Sequence, residues 1–189
     1  MKKNRFYIIL VFYFFLIKNN DAQSLGFEMQ RDEQRIDIPF DFENNFIVVN
    51  LVFQNLIPLK FIFDTGAEHT ILCKKDFADL ANVRYNKVFK ILGADMKTEL
   101  KAYLARGIHL RIADSYVTAP KQDILVLEED YFKLDEASGV HISGIIGADM
   151  FNRYIVKIDY GRKMISLFST NNFTVPKKYY ERLDRKSVV

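Results

Sequence analysis

Phe61-Ile62-Phe63-Asp64-Thr65-Gly66-Ala67 is the stretch on which the reading of this chain turns. Leu59, Phe61 and Phe63 alternate with Lys60 and Ile62, the period of a strand with two distinct faces. The strand runs directly into an acidic residue, and Thr65, Gly66 and Ala67 follow before Ile71 and Leu72 resume the apolar pattern. A carboxylate is thus delivered from a core strand into a tight turn of small residues. Gly66 allows the backbone to bend and aim amide N–H groups at the charge, which needs such donors wherever water is excluded. Taken alone, Asp-Thr-Gly is also an ordinary turn, because Asp and Gly favour turns for local reasons.

Outward from this stretch the chain reads as a succession of short strands. Residues 46–53 are almost continuously apolar and rich in β-branched side chains, as expected for a strand covered on both faces. Ile108, Leu110 and Ile112 alternate with His109 and Arg111, and Ala113, Asp114 and Ser115 offer a turn before Tyr116 and Val117, which predicts a hairpin. Residues 154–158 and 164–168 predict another, joined across 159–162 with Gly161 supplying a positive φ. Helical signals are few: two turns over 74–80 and a short turn at 148–152. The tail, residues 171–189, is basic and helix-prone: Pro176 can start a helix on which Tyr179, Tyr180 and Leu183 share a face, as a docking helix or a linker.

The composition of the 189 residues narrows the function classes. Nearly half are apolar and 14% aromatic, a globular composition with room for one domain of ordinary size. The net charge of +3 lies at the N-terminus: residues 1–23 hold Lys2, Lys3, Arg5 and Lys18 against Asp21 alone, which leaves 23 residues of each sign in the remainder. No basic patch for nucleic acid is indicated. The same segment has a basic start, an apolar run over 6–17 and small residues at Ala22 and Ser24 suited to cleavage, which is the pattern of a signal peptide. The run is short of the ~20 residues that span a bilayer, so the expectation is a secreted or periplasmic protein with no stable membrane span, an uncleaved anchor being the alternative. A single cysteine, Cys73, excludes an internal disulfide and a cysteine metal cluster. His69, His109 and His141 have no metal-ligand spacing, and no Gly-x-Ser-x-Gly occurs, so neither a metal nor a cofactor nor a serine nucleophile is expected.

A second element strengthens the first. Gly144-Ile145-Ile146-Gly147-Ala148-Asp149-Met150-Phe151 places two bulky β-branched residues before a glycine and a short turn, an unusual sequence for a plain loop. With Phe61 to Ala67, it gives a chain that resembles the retropepsin-like aspartic proteases, the retroviral type and its bacterial secreted relatives, over roughly residues 35–170. That resemblance implies an all-β fold, a closed-barrel acid-protease lobe with one or two short helices. The implied organisation is a signal peptide at 1–23, an N-terminal extension at 24–34, the protease domain at 35–170, and the tail.

The resemblance further implies that Asp64 is a catalytic aspartate, that Thr65, Gly66 and Ala67 form its active-site loop, and that Ile145, Ile146 and Gly147 brace that loop. Residues 90–98 match the family's flap, with Gly93, Ala94 and Asp95 at its tip, the alternative being an ordinary surface hairpin. One lobe supplies one aspartate and the chemistry needs two, so the implied partners are a peptide or protein substrate and a second Asp64 in a homodimer, or a second lobe. Three readings stay open: a homodimeric endopeptidase, the first lobe of a longer two-lobe protease, and a non-catalytic peptide-binding module with the same fold. One departure separates the chain from retroviral members, which commonly place arginine after the second glycine, where this chain has Ala148. Asp149 then reads as a helix-start or structural acid.

Overall fold

A computed structural model of the chain describes residues 26–29, 34–92 and 99–170. The expected flap tip at Gly93, Ala94 and Asp95 lies outside these residues, as do the leader at 1–23 and the tail at 171–189. The architecture is all-β. Alternation of apolar side chains generates a barrel strand by strand: β1 (Glu28–Met29), β2 (Arg35–Pro39), β3 (Asp41–Glu43), β4 (Phe46–Phe53), β5 (Ile57–Phe63), β6 (Ile71–Leu72), β7 (Tyr85–Leu92), β8 (Glu99–Ile112), β9 (Val117–Leu127), β10 (Gly144–Ile146), β11 (Tyr154–Asp159) and β12 (Met164–Ser169). Among the described residues, two short helices, Lys75–Leu80 and Leu134–Ser138, and a 3-10 turn at Ala148–Met150 accompany the strands.

Pairing runs β9-β6-β10-β5-β4-β8, and β8 also pairs with β9, so the sheet closes on itself and leaves no free edge inside the ring. β7 extends β8, β3 pairs with β4, and β11-β12-β2 form a separate three-stranded sheet. The two faces of β4 and β5 explain their unbroken apolar runs. Val49, Leu51, Phe61 and Phe63 enter the main core. Val48 and Ile62, one residue out of phase, enter a smaller cluster with Cys73, Leu134 and Ile142. Successive side chains of a strand point to opposite faces, so a strand between two cores has no polar phase.

The expected hairpins over 108–117 and 154–168 form. In the second, however, the left-handed residue is Lys163, with φ 51°, and Gly161 has no positive φ. The six-residue register from Tyr154↔Ser169 to Asp159↔Met164 fixes where the turn must reverse, and that position falls on the lysine.

Candidate active site

β5 positions the site by its phase. Phe63 is buried and stacks on Phe151, with ring centroids 4.6 Å apart, so the last residue of the strand is pinned to the core. The next residue, Asp64, therefore faces outward, and its backbone N–H donates to Ile146 O at 3.1 Å. Its carboxylate is exposed, and Gly66 N–H donates to Oδ1 at 2.8 Å. A Cβ on residue 66 would come within 3.2 Å of that oxygen, tighter than side chains normally tolerate, so glycine is what lets the amide approach. Thr65 is exposed beside it and Ala67 half-buried.

The loop is held from behind by β10. Ile145 and Ile146 pair in parallel with Ile62 and Phe63, while Gly144 and Ile145 pair antiparallel with Leu72 and Ile71. β10 thus threads between the strand that enters the loop and the strand that leaves it. Both glycines around it are required by close approach. A Cβ at Gly144 would run into Ile71 O and the Phe61 ring, and one at Gly147 would lie 2.5 Å from the carbonyl carbon of His69. Beyond β10, Ala148 N–H donates to Ala67 O at 2.7 Å and Asp149 N–H to Glu68 O at 3.2 Å. Ile145, Ile146 and Gly147 are thereby brought against the loop of Asp64.

Sequence reasoning missed one member of this assembly, Thr70, which is fully buried. Its hydroxyl donates to Asp149 Oδ1 at 2.8 Å and accepts from Gly147 N–H at 3.1 Å, and its own N–H donates to Asp149 Oδ2 at 3.0 Å. One threonine thus closes the end of the loop onto the turn behind it. The only sequence signal is a small polar residue ahead of an apolar pair, and nothing in that predicts a partner 79 residues away. Both oxygens of Asp149 are engaged by Thr70, which fits a structural acid. Glu68 Oε1 lies 3.9 Å from His69 Nε2, both side chains exposed.

Other chemistries find little here. Cys73 is buried and burial pushes its thiol up to about 12, so it is no nucleophile at neutral pH. Among the described residues no group of three or more His, Cys, Asp or Glu side chains could hold a metal ion, and no helix is long and apolar enough to cross a membrane. A single exposed carboxylate with one amide donor can accept a proton, but it cannot donate one to a second atom at the same moment.

The sequence matches no family model and no curated protein. Among solved structures, the chain is similar to a retropepsin-like aspartic protease from Rickettsia conorii, at 18% identity and a TM-score of 0.43, over 77% of this chain and 95% of that one. It is also similar to the retroviral protease-like domain of Ddi1 from Leishmania major, at 15% identity and a TM-score of 0.42, over 68% of this chain and 98% of that one.

Proposed function

We propose that the protein is an aspartic endopeptidase in which two copies of Asp64 meet across a dimer axis. The observation that carries this reading is the exposed Asp64 carboxylate at the end of β5, held by Gly66 N–H on a loop that β10 braces from behind. A loop supported on its inner side and open on its outer side is suited to meeting its own copy. Two carboxylates that close cannot both ionise, so the pair holds one proton and titrates as a unit. The ionised member takes a proton from water, the protonated member donates to the peptide carbonyl, and a tetrahedral intermediate forms with no covalent enzyme species. Thr65 bonds across the axis and locks the two loops together. The substrate is a peptide in extended form, held in part by main-chain hydrogen bonds. With its N-terminal signal pattern, the protein acts outside the cytoplasm, secreted or periplasmic.

The test compares wild type with Asp64→Asn for oligomeric state and for peptide cleavage across pH. A dimer whose cleavage disappears in the variant is the expected result. Cleavage unchanged by the substitution overturns the reading and favours a peptide-binding module. A monomer that cleaves only when joined to further sequence favours one lobe of a larger enzyme. Ala67 offers no hydroxyl to stabilise the charged carboxylate, so the pH optimum lies above the strongly acidic range of digestive enzymes; activity confined to strong acid would contradict this.

A further inference from the structure

The short turn behind the Asp64 loop has two sides. One side bonds the loop, through Ala148 N–H to Ala67 O, Asp149 N–H to Glu68 O, and the Asp149 carboxylate to Thr70. The other side is covered by Gly26 and Phe27, a segment more than a hundred residues away in sequence. Phe27 N–H donates to Met150 O at 2.7 Å. Gly26 has φ +96°, and a Cβ there would fall 2.8 Å from Asp149 O and 2.9 Å from Met150 O, so the segment lies directly on the backbone of the turn.

The segment is seated as a bound peptide would be. Gly26 N–H donates to Gln122 Oε1 at 2.6 Å, and that glutamine is itself buried at 3% exposure. Phe27 O accepts from Arg153 Nη2 at 2.8 Å and from Tyr154 Oη at 2.9 Å. The Arg153 guanidinium lies over the Tyr154 ring, 5.8 Å from its centroid, so the two donors are packed together. The Phe27 side chain is 1% exposed within the main core, and Glu28 and Met29 add a short antiparallel ladder to Thr118 and Val117 of β9. Main-chain pairing, one apolar anchor and polar groups at both ends are the features by which proteins bind extended peptides.

We propose that Gly26–Met29 is an intramolecular peptide ligand, and that its seating on the 148–150 turn positions the Asp64 loop. The N-terminal segment then governs whether the site is formed, and any event that draws Gly26–Met29 out of its slot switches the site off. The consequence for turnover rests on the reading of Asp64 as catalytic; the positioning itself does not.

The test is amide hydrogen exchange on the full chain carrying Gly26→Ala, and separately Gln122→Ala. The expected result is a loss of protection of about tenfold or more at Phe27 and also at Thr70, Ala148 and Asp149, with the β4–β5 amides unchanged. A synthetic peptide with the sequence of residues 24–29, added to Gly26→Ala, should restore protection at Thr70, Ala148 and Asp149. Loss confined to the segment and its β9 partners overturns the proposal, and so does loss spread evenly through β4 and β5, since the segment would then act on the fold as a whole. Should Asp64→Asn leave peptide cleavage unchanged, the protease reading fails while the exchange result stands on its own.

Discussion

Asp64 sits one residue past a stacked phenylalanine, and that single step of phase makes its carboxylate available. Because the side chain is exposed and accepts from the Gly66 amide, Asp64→Asn is expected to change the unfolding free energy by no more than about 0.5 kcal/mol while cleavage is lost. Calorimetry beside a peptide assay checks both halves. Gly147 is the opposite case. A methyl group there would meet the backbone of His69 at 2.5–2.8 Å, with no flexible side chain to move aside. Gly147→Ala is expected to cost about 1–3 kcal/mol in denaturant unfolding and to lower activity with it. Asp64, Gly66 and Gly147 were legible in the sequence because each carries a local signal, an acid in a turn or a glycine after an apolar pair. Thr70 was not, because its role lies in a partner that only the folded chain brings near.

Among the elements, the segment over the smaller core shows how charge holds a loop. The helix Leu134–Ser138 presents Asp135, whose Oδ1 accepts from Ile142 N–H at 2.7 Å and whose Oδ2 lies 3.2 Å from Lys74 Nζ and 2.6 Å from His141 Nδ1. Burial alone would raise this carboxyl, but the Ile142 amide, the Lys74 ammonium and His141 outweigh it and hold it below the ordinary carboxylate range. A depressed folded value means the stabilisation is complete above the unfolded carboxylate value and is lost as pH falls through the folded one. Wild type is therefore expected to lose stability below about pH 4, and Asp135→Asn to lose less over the same window; thermal melts from pH 6 to pH 2 would show the difference. Elements with an unbroken period, β4, β5 and the hairpin arms, were legible in advance. β8 and β9 were only partly so, since Gly107 and Pro120 interrupt their pattern and the register shifts between Ala105 and Ile108. Gly26–Met29 is too short to show any period, and its place is set by Gln122 and Met150, far off in the chain.

For the molecule as a whole, barrel closure through β8 and β9 leaves the Asp64 loop on the outside of a finished core. On the proposed reading, one lobe carries half a dyad, and activity would depend on association. If two copies form the site, specific activity is expected to fall on dilution as dimers dissociate, and a tandem fusion of two copies should remove that dependence. Activity per chain that stays constant down to the lowest measurable concentration would point to a different second aspartate. The threading of β10 has a consequence in time. Gly147, the residue after it, must reach Thr70 across 77 residues of sequence, and β10 lodges between two strands synthesised long before it. Contacts that distant form late and slowly, because loop closure precedes any reward from pairing. A growing chain therefore displays Asp64 well before β10 can brace its loop, and the loop gains that support only once residues 144–147 have been made and tucked into place.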